Sequence, residues 1–211
     1  MATVRVKICG ITDAAGLAAA AEADAVGFNF VATSPRYVPP AHAASLIAAA
    51  RALPVGVFAD PDDALVEAAV AAGVRALQLH GRESPARIAA LKNRFGLPVW
   101  KAAGIASAHD LRALARDFPH ADAWLLDARP PAGTDRTGGH GQPFDWAILA
   151  ECSPAKPWIL AGGLNPGNVA QAIRRTGAQF VDVASGVEEA PGVKSLAKIR
   201  AFLREARHGR P

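Results

Sequence analysis

The chain has 211 residues, of which 51% are hydrophobic, and a formal net charge of +4. That length suits one domain spanning 1–211 around a single core, and no uninterrupted apolar run approaches the ~18 residues that a membrane-spanning helix needs. The basic residues do not cluster with aromatics, which argues against a nucleic-acid partner, and the two distant cysteines, Cys9 and Cys152, suggest a reducing compartment rather than a disulfide framework.

The N-terminus runs directly into a strand, without a basic stretch followed by an apolar one. The expectation is therefore a cytoplasmic protein without a signal peptide. Val4–Ile8 alternates β-branched residues and ends at Cys9-Gly10, and a helix is predicted near 13–23 with Asp13 at its start. Ala25–Phe30 is the second strand. It is followed by a loop holding Ser34-Pro-Arg36 and by a helix over 40–52. Val55–Phe58 leads through Asp60-Pro61 to a helix over 61–72, and Ala76–Leu79 leads through His80 to a helix over 84–95 opened by Ser84-Pro85. Val99–Ala103 and Ala123–Leu126 come next, with helices over 107–117 and 146–152. A Gly/Pro-rich loop, 128–143, separates the sixth strand from its helix, and a loop of that length in a compact domain is usually functional. Trp158–Ala161 and Phe180–Val183 complete the strands, with helices over 166–175 and 194–207. Gly73, Gly96 and Gly177 fall just past helices, where a left-handed cap is wanted.

Eight strand–helix units with short connections predict an α/β fold, a single-domain (β/α)8 TIM barrel. The alternative, a doubly wound sheet, would show fewer strands and a G-x-G-x-x-G after the first. A barrel carries its chemistry at the C-terminal strand ends. Here those ends supply Cys9, Asn29, His80, Asp127, Gly162–Gly163 and Ala184–Ser185–Gly186. A thiolate and a carboxylic acid make a base and an acid for moving protons on a small molecule. The bland alternatives are a structural thiol at Cys9 and a loop salt bridge or helix cap at Asp127. The glycine turns after strands seven and eight offer backbone N–H groups to a phosphate, unless they are only tight turns. Arg36 suits a carboxylate clamp or a solvated surface position, and His80 suits a ligand contact, an acid or a hydrogen-bonded core residue. Strand alternation puts Arg5, Lys7 and Cys9 on one face and Lys101 beside Val99 and Ala103. If these faces point inward, Lys7, Lys101 and Asp182 are charged residues inside the barrel. Buried charges need partners, so Asp182 is expected to neutralise at least one of the lysines.

Lys7-Ile-Cys-Gly-Ile-Thr12, Ser34-Pro-Arg36, Gln78-Leu-His-Gly81, Phe144-Asp-Trp146, Ala161-Gly-Gly-Leu-Asn-Pro166 and Ser185-Gly-Val-Glu188 occur in that order over nearly the whole chain. In these motifs it resembles the phosphoribosylanthranilate isomerase family of tryptophan biosynthesis. The resemblance implies an Amadori rearrangement of N-(5-phosphoribosyl)anthranilate, an anionic phosphosugar, with no metal or organic cofactor. It implies Asp127 as general acid and Cys9 as general base. Arg36 would hold the anthranilate carboxylate, and Gly162, Gly163, Ser185 and Gly186 the phosphate, with His80 among the substrate-binding residues. Neither nucleic acid nor membrane is implied as a partner, and family members occur as monomers and homodimers. Two rivals are another phosphosugar barrel enzyme, whose relatives carry Asp where this chain has Cys9, and a barrel that binds phosphosugar without turning it over.

Three places depart from the family pattern. His140 stands within Gly138-Gly-His-Gly141 where a small hydroxyl residue is usual, and Ala184-Ser-Gly186 lacks one hydroxyl. Ser195 replaces an acidic helix cap, and serine caps equally well. A base at Cys9 leads to the expectation of a thiol pKa lowered by nearby lysine charge or backbone donors.

Overall fold

The computed structural model describes residues 3–128, 145–151, 154 and 156–209. Eight parallel strands close into a barrel in chain order: β1 (Arg5–Cys9), β2 (Ala25–Asn29), β3 (Leu53–Phe58), β4 (Ala76–Leu79), β5 (Val99–Ile105), β6 (Ala123–Ala128), β7 (Trp158–Leu160) and β8 (Phe180–Val183). Each is followed by a helix: α1 (Ala14–Ala19), α2 (Pro40–Ala49), α3 (Asp63–Ala71), α4 (Pro85–Phe95), α5 (Ala108–Asp117), α6 (Ala147–Glu151), α7 (Val169–Thr176) and α8 (Leu196–His208). The TIM barrel expected from the sequence is the observed fold. None of the described helices is long and apolar enough to cross a membrane. The 128–143 loop, His140 within it, Phe144 and Cys152 lie outside the described residues, Ala128 excepted.

Local signals place most boundaries. Asp13, Ser84 and Ser195 each accept a backbone N–H in the first turn of α1, α4 and α8, and Ser107 with Asp110 closes a capping box on α5. Gly96 and Gly177 end α4 and α7 in the left-handed conformation. Two predicted starts move. Asp62, not Asp60, caps α3, and Asp60 instead accepts the Arg82 N–H at 2.8 Å. Pro166 lies in a turn, and α7 starts at Val169. An element without a sequence signal follows β8. A 3-10 turn over Ser185–Val187 leads into a hairpin of β9 (Glu188–Ala190) and β10 (Val193–Lys194).

Apolar packing falls in two layers. The larger lies between strands and helices and includes Phe28, Leu77, Ile88, Trp124 and Phe202. The smaller fills the barrel with Ala25, Val55, Ala76, Ala102, Leu125, Ile159 and Phe180. Trp100 and Phe180 meet edge to face at 5.9 Å, and the Arg5 guanidinium lies 4.5 Å over the Phe180 ring, so these three close the floor. Above this plug the interior turns polar.

The register pairs Lys7 with Asp182 across β1 and β8. The Lys7 ammonium donates to Asp182 Oδ1 at 2.8 Å, which bears out the expected neutralisation for this lysine. Lys101 is a correction. Trp100 and Ala102 occupy the inward positions of β5, which turns Lys101 outward with Val99. There it donates to Glu83 Oε2 at 2.8 Å and to the Gly81 carbonyl at 2.7 Å, so Asp182 serves Lys7 alone.

Candidate active site

A cavity of ≈ 690 Å³ opens at the C-terminal mouth of the barrel. Cys9, Arg36, His80, Asp127, Gly162, Gly163 and Ser185 all line it. That volume lies within the range of small-ligand sites. Gly186 sits just behind the lining. A side chain there would run into the Leu164 carbonyl, so the loops after β7 and β8 meet backbone to backbone. Both loops lie at the end of the barrel where anions are commonly bound.

On the β1 side, Cys9 is the last residue of its strand and Gly10 follows at φ +78°. A Cβ on Gly10 would meet Arg36 Cδ at 2.5 Å, so glycine lets the arginine stem cross the strand end. Arg36 is a half-buried, paired residue rather than a free surface one. Its Nε and Nη2 donate to the two carboxylate oxygens of Glu188 at 2.6 and 2.8 Å. Glu188 Oε1 also accepts from Lys194 Nζ at 2.8 Å, and Lys194 reaches the Ala184 carbonyl at 2.9 Å. Burial would raise the Glu188 carboxyl, but Arg36 and Lys194 outweigh it and hold its pKa low. Burial would likewise lower Arg36, and Glu188 reverses that. For Lys194 burial wins over Glu188, and its pKa is lowered.

The thiol contradicts one expectation. Burial pushes the Cys9 pKa up and Asp182 adds to the rise, while Lys7 and Lys194 pull down without overcoming it. The net direction is raised, not lowered, because loss of water around the sulfur outweighs the lysine charges.

On the far side, Asp127 lies within β6, one residue from its end. Its Oδ1 accepts the Ala128 N–H at 2.8 Å, and Oδ2 lies 3.6 Å from His80 Nε2. Gln78 Nε2 contacts His80 Nδ1 at 3.4 Å, which turns the Nε2 side of the ring toward Asp127. Gln78 Oε1 is buried without a donor among the described residues. Gly162, at φ +82°, could not carry a side chain, since its Cβ would run into the Ala128 backbone nitrogen and stand 2.7 Å from Asp127 Oδ1. This glycine therefore makes room for the carboxylate as well as turning the loop.

Every site residue named from the sequence is thus brought to this mouth. Sequence reading missed Glu188 and Lys194, which fix Arg36, and gave Gln78 no role. The one available signal for Gln78 was its place two residues before His80, on the same strand face.

A family model for N-(5'-phosphoribosyl)anthranilate (PRA) isomerase matches residues 6–205. The N-(5'-phosphoribosyl)anthranilate isomerase of Rhodospirillum rubrum is 50% identical over 219 residues, covering 99% of this chain and 100% of that one. That of Paracoccus denitrificans is 52% identical, covering 96% and 97%. The crystal structure of phosphoribosyl anthranilate isomerase from Thermotoga maritima superposes with a TM-score of 0.87 at 34% identity, covering 97% and 99%. A further structure of the enzyme, in complex with reduced 1-(o-carboxyphenylamino)-1-deoxyribulose 5-phosphate, gives 0.83 at 33% identity with the same coverage. The fold, the contents of the mouth and these likenesses agree: the chain belongs to the N-(5'-phosphoribosyl)anthranilate isomerase family.

Proposed function

We propose that Cys9 and Asp127 carry the isomerisation of N-(5-phosphoribosyl)anthranilate as general base and general acid. Protonated Asp127 gives its proton to the furanose ring oxygen. The C1–O bond breaks toward that oxygen, and the anilinic nitrogen lone pair forms a C1=N bond, leaving a Schiff-base cation. The Cys9 thiolate then takes the C2 proton. The C–H electrons form C1=C2, and the C=N pair returns to nitrogen as an enolamine. Tautomerisation moves a proton from the C2 hydroxyl to C1 and leaves the ketone. Proton exchange between the thiol and carboxylate, through solvent, resets the pair.

The raised thiol pKa sets a condition on this sequence. Cys9 ionises most readily when the substrate cation lies against it, so the ring-opening step prepares the deprotonation that follows. Arg36, oriented by Glu188 through two of its nitrogens, keeps Nη1 for the anthranilate carboxylate. The Gly162–Gly163 and Ser185–Gly186 loops hold the phosphate, and His80 donates toward Asp127 as substrate binds.

The observation that carries this reading is that both proton-transfer candidates, Arg36 and the two glycine loops share one cavity. Turnover of freshly made phosphoribosylanthranilate, followed by loss of its fluorescence, tests it. Cys9→Ser and Asp127→Asn are expected to lower kcat by about 10²–10⁴-fold each. A variant that keeps the parent rate removes that residue from the mechanism, and a folded parent without turnover rejects the activity.

A further inference from the structure

We propose that Lys7 is a positioning residue for the base: clamped by Asp182 beneath the end of β1, its ammonium stabilises the Cys9 thiolate as the C2 proton leaves. This rests on the reading of Cys9 as general base.

The geometry is local and fully buried. Lys7 is 0% exposed and stands two residues before Cys9 on the same strand, so both side chains enter the barrel on one face. Gly27 lies beside Cys9 in the register of β1 and β2. A Cβ built on Gly27 would stand 2.8 Å from the Cys9 sulfur and 3.1 Å from Lys7 Nζ. The missing side chain is what leaves the ammonium and the sulfur facing one another.

A buried ion pair is costly to assemble, and an apolar pair of the same volume often folds as well. Arg5 at the floor and Asp182 aside, the described lower interior of this barrel is alanine, valine, leucine, isoleucine and aromatic residues. A lysine at this level therefore calls for a use, and the thiol directly above supplies one. Asp182 fixes where the ammonium sits, but its negative charge acts on the thiolate in the opposite sense. The two members of the pair thus push Cys9 in opposite directions, Lys7 more strongly than Asp182.

Among the described residues, the other charges around the thiol have partners or stand apart from it. Lys194 on β10 also favours the thiolate, yet it is shared with Glu188 on β9. Arg36, from the loop after β2, is held bidentately by the same Glu188. Asp127 and His80 stand on the far wall of the cavity.

The opposition of signs gives a test that a merely structural role cannot imitate. The rate of iodoacetamide alkylation of Cys9 in the free protein is followed against pH, read by mass on the peptide containing Cys9. Lys7→Met is expected to move the midpoint up by about one unit, a tenfold loss of thiolate at neutral pH. Asp182→Asn is expected to move it down. The double variant Lys7→Met/Asp182→Asn removes both charges together, leaves no orphan in the interior, and should still alkylate more slowly than the parent at neutral pH. It answers the question should Lys7→Met alone fail to fold. An unchanged midpoint in folded Lys7→Met or in the double variant, or single variants that shift in the same direction, overturns the proposal. Because alkylation needs no substrate, it separates from the base assignment itself. Full turnover by Cys9→Ala would sink that assignment and leave the alkylation profiles standing.

Discussion

The two walls of the mouth hold their reactive groups by different means. Around Cys9 the wall is built of fixed charges: Lys7 against Asp182 at 2.8 Å, and Glu188 gripped by both Arg36 and Lys194. Around Asp127 the described residues supply backbone and small groups instead: one N–H on Oδ1, an imidazole 3.6 Å from Oδ2, and a glycine where a side chain would collide. A buried thiol needs charge nearby to ionise at all. A carboxyl that must both give and regain a proton is better left with few permanent partners. The contrast links the chemical demand on each group to the kind of support its strand neighbours supply.

Breaking the far wall should have the largest effect. Gly162→Ala forces a side chain into the left-handed region and against Asp127 Oδ1. The displaced carboxyl is expected to cost kcat about a hundredfold, and KM is expected to rise as well because the same loop holds the phosphate, as steady-state kinetics would report. An unchanged kcat would mean that Asp127 tolerates displacement.

A control outside both walls comes next. Lys101→Met leaves Glu83, whose side chain is 1% exposed, without its cation. Denaturant unfolding should show a loss of about 3–5 kcal/mol. A loss below 1 kcal/mol, on the order of an exposed pair, would show that the Asp60 and Gly81 N–H groups, which donate to Glu83 Oε1 at 2.9 and 3.0 Å, suffice.

On the charged wall, Arg36→Lys keeps the charge but loses the fork that meets Glu188 and a carboxylate together. KM is expected to rise about tenfold, with kcat less affected. Equal KM values would remove Arg36 from substrate binding.

The smallest effect is one of pH. Glu188 has a folded pKa held below its unfolded value, so its contribution to stability is complete above about 4.3 and is lost as pH falls through the folded pKa. The stability difference between the parent and Glu188→Gln should therefore shrink on acidification from pH ~6 to pH ~3. A difference that holds constant would mean that Arg36 and Lys194 do not depend on the Glu188 charge.

Strand ends were legible because the strand–helix rhythm is regular and each strand is short. That rhythm alone locates Cys9, His80, Asp127 and both glycine loops. The side faced by Lys101 was not legible. Val99, Trp100, Ala102 and Ala103 are apolar on both faces of β5, so period two had no polar reference, and the bulk of Trp100 decided which side turned inward. The hairpin that carries Glu188 and Lys194 was illegible for another reason. Strands of three and two residues show no periodicity, and the pairing of Glu188 with Arg36, 152 residues away, leaves no local mark. The thiol's direction was misjudged because sequence shows the neighbouring lysine but not the depth of burial.

The floor made by Arg5, Phe180 and Trp100 has an isotopic consequence. A barrel plugged at that end is a vessel with one opening, and the ligand occupies the opening. Deuterium lifted from C2 would then meet bulk water only by passing the bound molecule. The fraction of label carried into the product would measure how completely the substrate stoppers the barrel during a single turnover.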